Sequence, residues 1–247
     1  MQIEEFLIDD KYLVRTNGTS DGTQDKFFKD NLWFKLDRYG DEGIAETTAS
    51  LILKESGLVS SKFVEYFPCK INGKNGCYSK NFLKDEESFI TFYRLYKNVT
   101  GRDLAQVCSK MNYDDAIEYV INFIKQQTNL DIHEYLANTF ALDKIILNED
   151  RHFNNLGIIY NGTGFKPAPI FDNGKSFLVG NQNAINKQTI EEKIKTAYSK
   201  NFSPSFIINA KYLEKYCTIN ITSNCLKTIE QLNNPKILNI LTHTIHL

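Results

Sequence analysis

Long hydrophobic runs, an excess of either charge and closely spaced cysteines are all missing from this sequence. The longest apolar runs cover only a few of the 247 residues, whereas a membrane-spanning helix needs about 20. Lys and Arg total 29 and Asp and Glu total 30, which gives a net charge of −1. A chain so balanced has no overall attraction for nucleic acid or anionic lipid. We therefore predict no membrane span and no direct nucleic-acid partner.

Cysteine pairing and an export signal are also missing. The five cysteines are scattered and no two have CxxC spacing, which argues against a structural zinc site and against a complete disulfide framework. The N-terminal stretch Met1–Glu5 lacks the basic and apolar regions of a signal peptide. We expect reduced thiols and a cytoplasmic location.

The apolar residues that are present indicate strands in the first third of the chain. With 42% hydrophobic and 13% aromatic residues, the composition is typical of a folded globular protein. Short strands are predicted at Tyr12–Arg15 and Leu32–Leu36, with a turn-rich loop at Asn17–Thr23 between them. A helix is predicted from about Glu42 to Ser56, because apolar residues recur there at helical spacing until Gly57.

A hairpin and two helices are predicted next. Phe63–Phe67 and Cys77–Ser79 flank a turn at Asn72–Gly76 and are typical of a hairpin. From about Asp85 the apolar spacing becomes helical. It appears in two groups: Phe89, Phe92, Tyr93 and Tyr96, and then Ile117, Val120, Ile121 and Ile124.

The second half of the chain completes an α+β pattern. A helix from about Asp131 to Leu147 precedes two short strands, Leu156–Tyr160 and Ala168–Phe171, and the remainder from about Thr189 is mostly helical. No Pro/Ser-rich linker divides the chain. We predict two lobes of one unit: a strand-rich N-lobe, residues 1–82, and a mostly helical C-lobe, residues 83–247.

Two carboxylates and an amide in the C-lobe carry the strongest chemical signal. Asp150 and Asn155 are five positions apart, and Asp172, which precedes a glycine, follows two strands that return the chain toward Asp150. In phosphoryl transfer, one carboxylate orients the attacking hydroxyl, while an Asn and a second carboxylate hold magnesium on the ATP phosphates. The flanking Arg151 could pair with an acidic side chain or a phosphate or be exposed, and His152 could tie the loop to Asp172 or to backbone.

The N-lobe supplies candidates for the nucleotide contacts. Lys35 lies mid-strand and Glu46 on the next helix, an arrangement that holds the phosphate-binding lysine of kinases. Considered alone, Lys35 is more simply explained as a lysine that faces solvent, and Glu46 as part of a solvated helix face. The turn-rich loop could present backbone N–H groups to phosphate, although most such loops are ordinary turns. Its candidate residues are Gly18, Thr19, Ser20 and Gly22.

Four stretches together resemble the HipA-like kinase family, and in particular its compact members that lack an extra N-terminal subdomain. They are Trp33–Leu36, Ala45–Ile52, Asn148–Asn155 and Ala168–Gly174. The resemblance implies a bilobal protein-kinase-like fold and the transfer of the ATP γ-phosphoryl group to a Ser or Thr hydroxyl of a protein, with ATP and Mg²⁺ as cofactors.

The resemblance also implies a role for each motif residue. Backbone groups near Tyr78–Phe82, including Ser79 and Lys80, would bind adenine as the hinge. The remaining implied roles are Asp150 as the catalytic Asp, Lys35 as the nucleotide lysine, Glu46 as its partner, and Asn155 and Asp172 as magnesium ligands.

Regulation in this family involves the phosphate loop and an N-terminal subdomain. The subdomain of HipA helps to dock a DNA-binding antitoxin, and this chain starts almost at the phosphate loop. The docking of an antitoxin therefore does not carry over directly from HipA, and an antitoxin-like or regulatory partner is an expectation from the resemblance alone. Some HipA-like kinases silence themselves by phosphorylating a serine of the loop, and we hypothesise that Ser20, with Thr19 as the neighbouring alternative, is such a site.

Two other functions stay open. A phosphoinositide 3/4-kinase-like lipid kinase shares the D-R-H-x-x-N and D-x-G motifs, but the stretch Lys175–Gln188 has only two lysines and no arginine, few for a phosphorylated lipid headgroup. A pseudokinase-type interaction module would be expected to lack Lys35, Asp150 or Asp172, and all three are present. A hydrolase is not indicated, because the sequence contains neither a G-x-S-x-G nor an H-E-x-x-H motif.

Overall fold

The computed structural model describes residues 3–14, 24–180, 189–220 and 223–245, which form two β-sheets and a series of helices. The larger sheet has the strand order β1-β4-β5-β3-β2, in which β1 and β4 are parallel and the other neighbours antiparallel. Its strands are β1 (Glu4–Phe6), β2 (Lys26–Lys29), β3 (Leu32–Leu36), β4 (Tyr66–Ile71) and β5 (Lys74–Lys80).

The smaller sheet is an antiparallel three-stranded sheet, and α2 contacts its strand β6. Its order is β6-β7-β8, with β6 (Ser88–Thr91), β7 (Gly157–Tyr160) and β8 (Phe165–Pro167). The helices are α1 (Glu42–Glu55), α2 (Phe92–Thr100), α3 (Leu104–Cys108), α4 (Tyr113–Thr128), α5 (His133–Ile146), α6 (Ile190–Thr196), α7 (Phe206–Tyr212), α8 (Ser223–Glu230) and α9 (Pro235–Thr244).

Helix α1 packs closely on the larger sheet. Ala45, Ala49, Ile52 and Leu53 are fully buried, and the ends of α1 agree with the predicted helix to within a residue. A Cβ on Gly43 would lie 2.6 Å from the backbone carbon of Gly76 in β5. Only glycine permits this approach, which sets the height of α1 above the sheet. Helix α1 also contacts α8, so the C-terminal part of the chain supports it.

The main apolar core lies among the helices. Ile117, Val120, Ile121 and Ile124 of α4 are buried in it, as their spacing predicted. Helix α5 crosses the same core and ends at Leu147, whose φ of +53° turns the chain out of the helix. This turn delivers the chain directly to Asn148 and the residues that follow. None of the described helices is long and apolar enough to cross a membrane.

Two predicted strands are misplaced. Tyr12–Arg15 is not a strand in its described part: Asp10–Tyr12 forms a 3-10 turn, which Asp9 caps by accepting the N–H of Lys11. The contact with β2 is limited to an isolated bridge of Leu13 with Phe27 and a bond from the Val14 N–H to the Lys26 carbonyl. The second strand of the later hairpin is β8, which ends before the predicted Ala168–Phe171, because Pro169 has no N–H to continue the ladder.

Two further predictions differ at their boundaries. Phe89 belongs to β6, and the helix begins at Phe92, where the Thr91 side chain accepts the N–H of Arg94. Strand β4 starts later than predicted, because Val64 instead bonds to Ile170 and so links the two sheets. The chain passes between the sheets through residues 81–87, and the division at residues 82 and 83 stays a prediction.

Candidate active site

A buried lysine and glutamate join β3 to α1. Phe34 packs in the apolar cluster on one face of the sheet, so the next residue, Lys35, points to the other face. The Lys35 ammonium lies 2.5 Å from Glu46 Oε1, and the two side chains are only 8% and 1% exposed. The structure therefore brings together the two residues that the sequence paired.

Asp172 adds a third charge to this pair. Its Oδ1 accepts a hydrogen bond from Lys35 Nζ at 2.8 Å, and Glu46 Oε2 accepts the backbone N–H of Asn173 at 2.8 Å. Asp172 has a φ of +60°, in the left-handed region that few residues other than glycine adopt. One network of contacts thus connects the larger sheet, α1 and the loop that follows the smaller sheet. We call it the Lys35 cluster: Lys35, Glu46, Asp172 and Asn173.

The surrounding charges keep Lys35 and Asp172 ionised despite their burial. Burial alone would lower the pKa of Lys35, but Asp172 and Glu46 raise it well above its ordinary value. Burial alone would raise the pKa of Asp172, but Lys26 and Lys35 hold it well below its usual range. At neutral pH Lys35 is therefore a cation and Asp172 an anion, the forms that a phosphate contact and a metal ligand require.

Arg151 ties this cluster to the loop that carries Asp150. Its guanidinium is buried and donates to Asp143 of α5 at 3.0 and 3.1 Å, to the Phe171 carbonyl at 2.6 Å and to Asn173 Oδ1 at 2.5 Å. Of the alternatives open from the sequence, pairing with an acidic side chain is the one observed. Because each of its three guanidinium nitrogens donates to one of these partners, Arg151 positions the two loops.

Asp150 and Asn155 lie in the same short loop. The Asn155 amide nitrogen donates to the Asp150 carbonyl at 3.0 Å, which leaves the amide oxygen available as a ligand. Asn155 is buried, whereas the Asp150 side chain is 19% exposed. Lys200 and Lys175 each form an ion pair with the Asp150 carboxylate, Lys175 at 3.3 Å.

His152 is held differently from the prediction. Its backbone N–H donates to the Asp150 carbonyl at 2.8 Å, but its ring Nδ1 is buried and has no hydrogen-bond partner in the part of the chain that the structure describes. Burial lowers the pKa of His152, while Asp150 and Asp172 act against this shift. The ring therefore does not tie the loop to Asp172, and it is neutral at pH 7.

The predicted phosphate-loop residues, Gly18, Thr19, Ser20 and Gly22, lie outside the described residues. Ser79 and Lys80 end β5, where they pair with Trp33 and Leu32 of β3. Beyond them, an aromatic cluster fills the space between the two sheets, with ring centroids 5.4 to 5.7 Å apart. It consists of Phe82, Phe89 and Phe171.

Two lysines of the site were missed by the sequence analysis. Lys175 lies just beyond the Asp172 loop, and Lys200 comes from the segment after α6, in a part of the sequence without a recognisable motif. A cavity of about 230 Å³ opens in front of Asp150 and is lined by both lysines, Tyr39 and Tyr198. A larger cavity, about 580 Å³, is lined by Lys80 but not by Asp150, Lys175 or Lys200. Cavity size therefore does not identify the site of the chemistry.

The oxygen atoms of Asp172 and Asn155 suit a small hard cation. Magnesium in nucleotide sites is bound by one or two protein side chains, with phosphate and water oxygens completing its shell. Among the described residues there is no cluster of three or more His, Cys, Asp or Glu that could hold a metal alone. This donor set therefore fits a magnesium ion that arrives with phosphate better than it fits a resident zinc or iron.

Comparison with known proteins yields structural neighbours only. Neither a protein-family model nor a curated protein matches the chain. The crystal structure of CtkA, a proinflammatory kinase of Helicobacter pylori, matches with a TM-score of 0.64 and 16% identity over 99% of this chain and 94% of that chain. The Shewanella oneidensis MR-1 toxin–antitoxin complex of HipA, HipB and operator DNA matches with a TM-score of 0.49 and 11% identity, covering 96% of this chain and 64% of that one.

The match with CtkA establishes the fold. It extends over nearly the whole of both chains, and it confirms the α+β kinase-like architecture that the motifs predicted. The resemblance to HipA-like kinases is thereby confirmed at the level of the fold. At 16% identity the roles of individual residues depend on the geometry of this chain.

Proposed function

We propose that the protein is an ATP-dependent protein kinase that transfers the γ-phosphoryl group to a Ser or Thr hydroxyl. The observation that carries the proposal is the direct contact of Lys35 with both Glu46 and Asp172. A buried lysine between two carboxylates is costly to maintain for stability alone, whereas protein kinases use a lysine–glutamate pair of this kind to hold the phosphate-contacting lysine. The kinase-like fold supports the same function.

Each residue of the site has a role in this reaction. Lys35 would contact the α- and β-phosphates, and Asn155 and Asp172 would hold magnesium, which when bound neutralises charge on the phosphates. The backbone of residues 78–82, with Ser79 and Lys80, would face adenine. The loop with Gly18, Thr19, Ser20 and Gly22 would cover the phosphates.

Asp150 would act on the acceptor. Its carboxylate faces the cavity of about 230 Å³, where a hydroxyl side chain can enter. In the transfer, the hydroxyl oxygen bonds to the γ-phosphorus, and the bond from that phosphorus to the β–γ bridging oxygen breaks. The proton of the hydroxyl passes to Asp150, and ADP leaves with the electron pair of the broken bond.

Transfer from γ-labelled ATP with Mg²⁺ tests the proposal directly. We expect wild-type protein to label protein acceptors or itself, and Asp150→Asn and Asp172→Asn to lower kcat by about 100-fold or more. Asp85 is exposed, so Asp85→Asn is a matched control that should keep full activity. Near-wild-type activity of Asp150→Asn would contradict the assignment of Asp150.

Three related measurements test the alternatives and the modification of Ser20. Labelling of phosphatidylinositol vesicles in place of protein would favour the lipid-kinase alternative, and Mg-ATP binding without any transfer would favour the interaction module. Intact-mass analysis after incubation with Mg-ATP tests whether Ser20 is modified. An antitoxin-like or regulatory partner and a cytoplasmic location stay predictions from the sequence.

A further inference from the structure

Both oxygens of the proposed catalytic carboxylate are held by lysines from outside its own loop. Lys200 Nζ contacts Asp150 Oδ1, and Lys175 Nζ lies 3.3 Å from Oδ2. Two ammonium groups therefore contact this one carboxylate. Glu149 lines the same cavity, and its carboxylate accepts the backbone N–H of Tyr198 at 3.3 Å.

The segment that carries Lys200 is fixed on the Asp150 loop. Asn201 Nδ2 donates to the Arg151 carbonyl at 2.5 Å, and the Asn201 backbone has a φ of +60°. The Phe202 ring packs edge-on against Phe153 of the loop, with centroids 5.5 Å apart, and against Phe140 of α5 at 5.7 Å. These contacts directly after Lys200, together with the Tyr198–Glu149 bond before it, distinguish Lys200 from a surface lysine that meets a carboxylate by chance.

The chemistry of the proposed reaction needs a cation where the two lysines lie. The transferring phosphoryl group carries negative charge on its equatorial oxygens, and kinases place fixed positive groups against it. Within the loop from Asp150 to Asn155 the one permanent cation is Arg151, and its guanidinium is buried, with each nitrogen bonded to Asp143, Phe171 or Asn173. Lys200 is 38% exposed and Lys175 is 42% exposed at the cavity, so both ammonium groups are accessible to a phosphate.

We propose that Lys200, assisted by Lys175, is a further catalytic residue of the transfer. With ATP and acceptor present, its ammonium moves from Asp150 to the γ-phosphoryl oxygens. This movement supplies positive charge to the transferring group, and it frees the Asp150 carboxylate to receive the hydroxyl proton. The proposal rests on the kinase function proposed above, and it assigns the C-terminal helical part of the chain a direct role in the chemistry.

The test is steady-state transfer from Mg-ATP by Lys200→Met, with Lys200→Arg and Lys211→Met beside it. Lys211 of α7 is an exposed lysine outside the site, so its variant is the matched control. We expect Lys200→Met to lower kcat by about 100-fold with KM for ATP changed less than about threefold, because the charge acts mainly in the transition state. Lys200→Arg should recover at least about tenfold of that loss, and Lys211→Met should equal wild type.

Each other outcome has a distinct meaning. A Lys200→Met enzyme with kcat equal to wild type overturns the proposal, and one with higher kcat shows that the ion pair only inhibits. If Lys200→Met does not fold by circular dichroism, Lys175→Met carries the test with the same criteria, because Lys175 is not part of the anchored segment. Wild-type protein that binds no Mg-ATP and transfers no phosphate would overturn the kinase function itself, and with it this proposal.

Discussion

The pair of Arg151 and Asp143 provides a sharp prediction, because it can be tested without knowing the substrate. The two side chains are 1% and 3% exposed, and three donor–acceptor distances between them are 3.0, 3.1 and 3.3 Å. The change Asp143→Asn keeps the shape of the side chain and one acceptor oxygen, but removes the negative charge. Arg151 is then a buried cation whose remaining partners are the neutral oxygens of Phe171 and Asn173.

The expected cost of Asp143→Asn follows from this geometry. Removing one partner of a buried ion pair costs about 3 to 5 kcal/mol, and we expect about 3 to 4 kcal/mol because Asn and the two neutral acceptors still contact the guanidinium. The free energy of unfolding of a domain is about 5 to 15 kcal/mol, so this is a large fraction of it. In a chain of this length it corresponds to a fall in Tm of about 6 to 16 °C.

Urea unfolding followed by circular dichroism measures this loss. The control is Glu65→Gln, which breaks the exposed pair of Glu65 and Lys54, whose side chains are 40% and 58% exposed. That variant should lose less than about 0.5 kcal/mol. Hydrogen exchange should also accelerate in residues 148–155 and 171–174 of Asp143→Asn, because Arg151 holds both loops. A loss below about 1 kcal/mol would refute the view that this charge pair holds the site together.

Two further predictions concern α1 and its start. Glu46→Gln must turn an amide NH₂ toward either Lys35 or the Asn173 N–H. It should therefore lower the free energy of unfolding by about 2 to 4 kcal/mol and weaken Mg-ATP binding in calorimetry. Unchanged unfolding and binding would contradict the bridging role of Glu46. Burial raises the pKa of Asp37 to about 6, above its unfolded value of about 3.9, so the contribution of Asp37 to stability falls as pH rises from about 4 to 6. Asp37→Asn keeps the acceptor for the Gly43 N–H but cannot ionise. In urea unfolding, its stability relative to wild type should rise by about 1 kcal/mol between pH 4.5 and pH 7.5, after allowance for partial exposure. No such rise would refute the view that the Asp37 charge is buried at a cost.

The elements that could be predicted are those with a strong local pattern. Helices α1, α4 and α5 and strand β3 follow from apolar spacing, because burial of one face forces the period of the element on the sequence. The edge strand β1 has three residues and β2 four, too few to show a period. Phe89 fits a helical spacing with Phe92, yet it forms part of β6, because pairing with β7 outweighs its local preference.

The candidate site was only partly predictable for the same reason. Lys35, Glu46 and Asp172 stand in short motifs with a known chemical logic, and the structure joins them. The bond between Arg151 and Asp143 connects a loop to the helix before it, so no spacing within the motif reveals it. Lys200 lies fifty residues beyond Asp150 in the chain and has no motif around it.

The sequence by itself determined the type of fold and the chemical types of the central residues, because apolar periodicity and short motifs are local properties. The tertiary structure decided how these residues are charged and connected. Lys35 remains a cation in a buried position because Asp172 and Glu46 are brought to it from distant parts of the chain. Likewise, the tail brings Lys200 to Asp150 because Asn201 and Phe202 dock on the loop. Contacts between distant segments leave no period in the sequence, so only the folded chain shows them.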